Sequence, residues 1–223
     1  MVGTSDKANG AKGVLSVWNN FDPAAEEFYE RWYMTEHFPE RLGVPGFLRG
    51  RRYRAIEADR TYFTFYELTS PEVLFSQAYL ARLNAPTAWT QKAMQSWSAM
   101  FRTVCERVAR AGEAVGGYAI VARFGAPATF DAALAETIRH GLDDVTVVAV
   151  DLWRATPRQN DATIESSNRP EPDTMISAAV IVEATSAQAM KTLVPRLQAL
   201  LAPVSAKPPV IGTYQLIAMQ SSG

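Results

Sequence analysis

The sequence predicts an α+β protein made of two ferredoxin-like repeats, over residues 13–112 and 115–220. Two observations carry this. Strand-like and helix-like stretches follow one another in the order β-α-β-β-α-β, twice. Short segments also recur at equivalent places in the two halves. Gly13 and Pro23 return as Gly117 and Pro127, Tyr53-Arg54-Ala55 as Trp153-Arg154-Ala155, and Glu67-Leu68-Thr69-Ser70 as Glu183-Ala184-Thr185-Ser186.

Gly13 to Trp18 reads as a strand and Asn19 to Asp22 as a turn. Asp22 before Pro23 starts a helix, because the carboxylate caps free amides and proline loses nothing at the first helical position. That helix is expected to run to His37, where Pro39 disfavours helix at Phe38. Its Phe28–Trp32 and Tyr29–Tyr33–His37 spacings form an aromatic stripe that should face a sheet. Phe47–Ile56 and Thr61–Leu68 read as antiparallel strands. Thr69 and Glu72 suggest a capping box, with Pro71 just inside the helix. Helical sequence then continues, broken near Asn84–Pro86, to about Ser98. Phe101–Ala111 closes the first half as a strand.

The second half repeats the plan. Strands are expected at Gly117–Phe124, Val145–Ala155, Met175–Glu183 and Val210–Met219. Helices are expected at Thr129–Arg139, ending before Gly141 as a C-cap, and at Ser186–Leu201, where Thr185 and Gln188 repeat the capping box. The offsets between matching segments locate the differences. The first half is longer within or beside EHFPERLGVPG. The second half is longer by 16 residues in the Thr156–Asp173 loop. The halves share a scaffold but not a site.

Composition narrows the function classes. The chain has 223 residues, 48% hydrophobic and 20% charged, with a net charge of -1. That balance gives no drive toward nucleic acid or an anionic membrane. No apolar run approaches the length of a membrane span. The polar MVGTSDKANGAKG start reads as a frayed leader, Ser221–Gly223 should be equally loose, and the default location is cytoplasmic. A single cysteine, Cys105, excludes an intrachain disulfide and a cysteine-based metal site, and two distant histidines exclude a multi-histidine site. No dinucleotide fingerprint, P-loop, nucleophile elbow or H-E-x-x-H pair is present.

The stretch Trp32–Tyr53 carries the densest chemistry. Its pattern, W-Y-x-x-E-H-x-P-E-R-L-x-x-P-G-F-L-x-x-R-R-Y, is followed by an aromatic strand and S-P-E. It resembles EthD-like proteins of the dimeric α+β barrel superfamily, in their tandem two-repeat form. The resemblance implies that the two halves pack sheet to sheet as an intramolecular α+β barrel. It also implies a small-molecule pocket between sheet and helices, lined in part by the helix histidine. Superfamily relatives include cofactor-free monooxygenases, isomerases, cyclases, dehydratases and haem enzymes, so the fold does not choose the reaction. The second half has no E-H-x-P counterpart, which favours one site per chain.

His37 is the candidate acid/base group, placed by this reading at a helix C-terminus where the dipole favours the cation. Glu36 or Tyr66 would orient it or the substrate, while Glu40 and Arg41 would pin the following turn through ion pairs with the arginines beyond it. Trp18, Trp32, Tyr33, Trp89 and Trp97 are candidate walls of a pocket for an apolar or aromatic ligand, although core packing explains any one of them equally well. Strand alternation puts Arg49, Arg51 and Tyr53 on one face and Arg52 and Arg54 on the other. Arg51 could clamp an anionic substrate, but interior salt bridges are the commoner role. His140 reads as a helix cap and Cys105 as core.

The function expected is a small-molecule-binding barrel. It would be a cofactor-free isomerase, cyclase, dehydratase or oxygenase using His37 on a compact organic substrate, with haem on His37 as the remaining cofactor option. The alternative is a non-catalytic ligand-binding or structural barrel. Nucleic-acid and membrane partners are not expected. A homo-oligomer follows if outer strands or helices expose apolar stripes.

Overall fold

The computed structural model describes residues 10–223. The first half contains β1 (Gly13–Phe21), a 3₁₀ turn (Pro23–Ala25), α1 (Glu26–Trp32), a π-helical turn (Tyr33–His37) and α2 (Phe38–Leu42). It continues with β2 (Phe47–Glu57), β3 (Tyr62–Leu68), a 3₁₀ turn (Pro71–Phe75), α3 (Gln77–Leu83), α4 (Ala88–Met94) and β4 (Trp97–Ala111). The second half contains β5 (Tyr118–Phe124), α5 (Leu134–Leu142), β6 (Val147–Ala155), α6 (Ile164–Ser167), β7 (Ala178–Ala184), α7 (Met190–Leu201) and β8 (Val210–Ser221).

The strands close into a barrel in the order β1-β3-β2-β8-β5-β7-β6-β4, with every neighbouring pair antiparallel. Each half supplies four adjacent strands, ordered β4-β1-β3-β2 and β8-β5-β7-β6. The halves meet at β2–β8 and β4–β6, so neither sheet keeps a free edge. The expected mixed α+β barrel is what the chain forms.

Strand alternation sorts the core into three clusters. Leu15, Val17, Tyr62, Tyr66 and Leu68 point outward beneath the first-half helices. Ile120, Ala122, Val150, Leu152, Val180 and Val182 do the same in the second half. Inside the barrel lie Val14, Trp18, Tyr53, Phe63, Phe65, Trp153 and Tyr214. The matched positions Tyr53 and Trp153 both enter this interior, 5.4 Å from Phe63 and 4.8 Å from Phe65 respectively. The barrel is therefore packed, not hollow.

One part of the interior is ionic. Glu67 bonds Arg107 (2.8 Å), Arg107 bonds Asp151 (2.7 Å) and Asp151 bonds Arg110 (3.2 Å). Arg110 bonds Glu183 (3.0 Å), Glu183 bonds Arg51 (2.6 Å) and Arg51 returns to Glu67 (3.3 Å). This closed ring alternates in sign, and Arg49 adds a bond to Glu67 from outside it (2.6 Å). Arg51 is thus engaged on two sides by carboxylates from different halves, as its structural reading required. On the opposite strand face Arg52 pairs with Glu30 and Arg54 with Glu26.

Several boundaries differ from expectation for identifiable reasons. The chain does not leave the helix at His37. Phe38 N–H reaches back five residues to Tyr33 O, and the widened turn admits the ring of Pro39, after which α2 continues. Gly141 lies inside α5, where a Cβ would meet the Leu200 side chain at 2.9 Å, and Asp143 takes the left-handed cap at φ 41°. Neither expected capping box forms. Ser70 precedes a 3₁₀ turn without a side-chain cap, and α7 starts only at Met190. A capping box does form at Thr163 and Ser166. Strand β4 begins at Trp97 and β7 at Ala178.

The leader expectation falls partly on residues 1–9, which lie outside the described residues. Ala11 is buried, and Lys12 N–H bonds Leu68 O (3.1 Å). At the other end Ser221 pairs with Arg49 and Ser222 N–H bonds Leu48 O (2.9 Å), so both termini are tied further than expected. Gly112, at φ 86°, links the halves where a Cβ would sit 2.1 Å from Val148 O. Gly112→Ala should lower stability by about 1–3 kcal/mol in chemical denaturation, because strain and a backbone clash act together. An unchanged midpoint would contradict this geometry.

Candidate functional site

Helix α1 and the π turn lay their aromatic stripe on the outer face of the first-half sheet. Tyr29, Trp32, Tyr33 and His37 are all buried. The His37 imidazole lies 4.5 Å from the Trp32 ring, 5.0 Å from Tyr33 and 6.2 Å from Trp97, measured between centroids. Its Nδ1 is fully buried and has no hydrogen-bond partner.

The histidine does not sit at a helix C-terminus. It lies mid-helix at the π–α junction, and its environment works against the cation. Burial pushes its pKa well below the usual 6.5, and the positive charges of Arg41, Arg52 and Arg169 push the same way. His37 is therefore a neutral imidazole at physiological pH.

Tyr33 and Tyr66 join their hydroxyls at 3.1 Å beneath this helix, and burial raises both phenols above their ordinary range. Glu36 does not orient His37. Its Oε1 accepts from Trp32 Nε1 (3.3 Å), Thr87 Oγ1 (2.5 Å) and Thr90 Oγ1 (3.0 Å), which ties α1 and the π turn to the start of α4. Trp32, Tyr33, Tyr66 and Trp97 belong to one helix-side cluster, and the His37 ring packs on Trp32, Tyr33 and Trp97 of it. Trp18 and Arg51 lie on the barrel side of the sheet and share no pocket with it. Trp89 packs on Phe28 at 6.1 Å, away from the imidazole.

The arginine one turn after His37 was expected to pin the local turn. Arg41 instead crosses to the other half of the chain, where it is ion-paired with Glu165 of α6. Glu40 makes no salt bridge among the described residues. Glu165 belongs to the 16-residue excess of the second half, which runs as a strap over the first-half helices. Asn160 Nδ2 donates to Leu74 O (2.6 Å), Ile164 N–H to Asn84 Oδ1 (3.2 Å), and Arg169 Nη1 contacts Met94 Sδ (3.8 Å). Glu171 accepts from Ala99 N–H (3.1 Å). Beneath the strap, Arg41 lies 5.6 Å over the Tyr79 ring, and Arg102 donates to Tyr79 Oη and Asn160 Oδ1, both at 2.9 Å.

An open cleft of about 780 Å³ lies beside this region, lined by Asn20, Asp22, Ala58, Asp59, Trp97 and Pro170 among others. Trp97 lines this cleft and lies 6.2 Å from the His37 ring, and Pro170 belongs to the strap. Further clefts, including one lined by the exposed His140, lie elsewhere on the described surface. A haem on His37 needs an open slot against one ring nitrogen. Trp32, Tyr33 and Trp97 box the imidazole instead, and the residues in this conformation do not fit an axial-ligand role. Among the described residues no group of three His, Cys, Asp or Glu side chains could hold a metal ion, and no helix is long and apolar enough to cross a membrane.

No protein-family model matches the sequence, and no curated protein matches it. Solved structures do match in fold. An anthrone oxidase-like protein superposes with a TM-score of 0.57 at 13% identity, over 97% of this chain and 95% of the other. A candidate monooxygenase from Fusobacterium nucleatum gives 0.55 at 9% identity, over 96% of each chain. A variant chlorite dismutase from Candidatus Nitrospira defluvii, in complex with cyanide, gives 0.55 at 12% identity, over 96% and 95%. At these identities the likeness is one of fold: the eight-stranded α+β barrel.

Proposed function

We propose that the chain is a small-molecule enzyme working without a dedicated cofactor, with His37 as general base on a compact aromatic substrate. The observation that carries this is the neutral, buried imidazole with an unpartnered Nδ1 inside an aromatic box. A neutral imidazole accepts a proton, and the surrounding rings supply stacking surface. The Tyr33–Tyr66 hydroxyl pair and the Arg41 charge stand beside it to stabilise an oxyanion formed when that proton leaves. Proton abstraction next to a carbonyl serves isomerisation, cyclisation, dehydration and oxygenation alike. The anthrone oxidase-like and monooxygenase-like proteins among the structural neighbours favour the last. The EthD-like resemblance, an origin by duplication and a cytoplasmic setting for the lone buried thiol belong to the same reading.

The test uses 1,8-dihydroxyanthrone as probe. His37 would take the ring methylene proton and leave an anthronolate. Dioxygen would oxidise this, one oxygen atom becoming the new quinone carbonyl and the other leaving as water. The expected result is His37-dependent oxygen uptake and quinone absorbance, lost in His37→Ala and kept in Trp18→Phe. The rival reading, a non-catalytic barrel, draws on the closed packing around His37. It predicts equal, background rates for all three proteins. A His37-dependent Soret band on hemin titration would replace the cofactor-free reading.

A further inference from the structure

The ion pair between Arg41 and Glu165 has a composition that suggests a ligand. Three arginines gather under the strap: Arg41, Arg102 and Arg169. Two carboxylates form salt bridges with them, Glu165 on Arg41 and Asp173 on Arg169 (2.7 Å), while Glu40 acts on Arg41 without a salt bridge. Arg102 has only neutral acceptors, Tyr79 Oη and Asn160 Oδ1. Arg102 is thus the one of the three without a carboxylate in salt-bridge contact among the described residues, a costly arrangement away from water. Its hydrogen bonding is also incomplete, with Asp173 Oδ1 the unpartnered acceptor and guanidinium donors the rest. Arg41 is 2% exposed, yet its Nη1 has no partner, and the same holds for Arg169 Nε. Donors left unmatched on this scale mark a place for an acceptor.

The geometry restricts what that acceptor is. Arg41 follows His37 by four residues, so both face one side of the helix. The aromatic box of Trp32, Tyr33 and Trp97 continues the same surface. Glu165 comes from the strap, a segment the first half lacks; single polar contacts tie the strap on either side of Glu165, and paired bonds between Gln159 and Val104 anchor its start. We infer that this cluster is a binding site for a compact aromatic monoanion, a carboxylate or phenolate, that takes the place of Glu165 on Arg41 and lays its ring against Trp32 and Trp97 beside His37. The guanidinium fork of Arg41 suits two oxygens of one anion, and Glu165 acts as an internal stand-in that holds the site closed until the ligand arrives. The inference rests on His37 marking the functional site and adds the charge of its ligand.

The probe is 1-naphthoate, with its neutral amide as control, measured by calorimetry on the full chain. The parent protein should prefer the carboxylate. Glu165→Gln should tighten naphthoate binding about tenfold or more and leave the amide unchanged, in line with one charge-assisted hydrogen-bonding pair released for the ligand. Because Arg41→Gln alone strands a buried carboxylate, the second variant is Arg41→Gln with Glu165→Gln, a neutral pair that should fold and lose the preference. Equal gains for both ligands, an unchanged affinity in Glu165→Gln, no binding by either protein, or a preference that survives the double variant each overturn the inference. The two readings fail separately: the expected naphthoate pattern without His37-dependent turnover of the anthrone probe overturns the base alone, and His37-dependent turnover without a carboxylate preference overturns this inference alone.

Discussion

Glu67→Ala is expected to cost about 3–5 kcal/mol of stability in urea denaturation, the range for removing one member of a buried ion network. Glu67 is 1% exposed and bonds Arg49, Arg51 and Arg107 at once. Its loss opens the ring that joins the halves, leaves Arg51 and Arg107 with one carboxylate each, and takes from Arg49 its only carboxylate among the described residues. A surface pair makes the control. Arg154–Glu106 has the same chemistry at 2.8 Å, but its side chains are 48% and 44% exposed, so Glu106→Ala should change stability by less than about 1 kcal/mol. A Glu67→Ala loss no larger than that of Glu106→Ala would show that water already screens the ring.

The same carboxylate gives a pH signature. Burial by itself would raise the Glu67 pKa; Arg51, Arg107 and Arg49 outweigh it and hold the group at about 2, below the ordinary 4.5. The folded pKa is depressed, so the unfolded chain binds the proton first as pH falls. The stabilisation is fully present above pH 4.5 and is lost between there and about pH 2, amounting to roughly 3 kcal/mol. Glu67→Gln should remove that acid-limb slope while keeping the side chain's volume.

Much of the scaffold was legible because it rests on local chemistry. Period-two alternation fixed which arginines of β2 face the barrel, and the aromatic stripe of α1 does face the sheet. The matched Glu67 and Glu183 turned out to occupy equivalent stations of one ionic ring. What failed was whatever depends on distant partners or on backbone that bends a local rule. Pro39 reads as a helix stop, but a π turn absorbs it, and His37 moves from a helix C-terminus to a buried junction. That reversed its expected charge preference, since burial and three guanidinium groups replace the helix dipole and the nearby glutamates as its dominant environment. Glu36 pointed to His37 by adjacency, whereas side chains one residue apart on a helix diverge, and Trp32 and α4 claim its carboxylate. Arg41 paired with Glu165 across 124 residues of sequence cannot be read from local pattern. One signal did point there: the 16-residue excess of the second half, which is the strap.

His37→Ala should lower the turnover of an accepted substrate by about 10²–10⁴-fold, the usual contribution of a positioned acid–base group. The pH profile separates a base from a packing residue. A neutral imidazole is the active form of a base, and it exists above the histidine's own pKa. Burial first, then Arg41, Arg52 and Arg169, place that pKa well below 6.5. The kcat of the parent protein should therefore stay level from pH 8 down through 6.5 and fall only on the more acid side. An exposed histidine would bring the fall near 6.5, and a base favoured as a cation by a helix end would bring it higher still. Stability follows the same sign: the unfolded chain binds the histidine proton before the folded one, so this contribution is complete above 6.5 and declines below it. Neutralising Arg41 and Glu165 together removes the charge one helical turn away, and it should move the acid limb of kcat toward 6.5. A limb that stays in place while turnover drops would assign Arg41 to ligand binding alone. A parent profile that already breaks at or above 6.5 would show that the imidazole is wet and charged during turnover, and the aromatic box would then be open in the working enzyme.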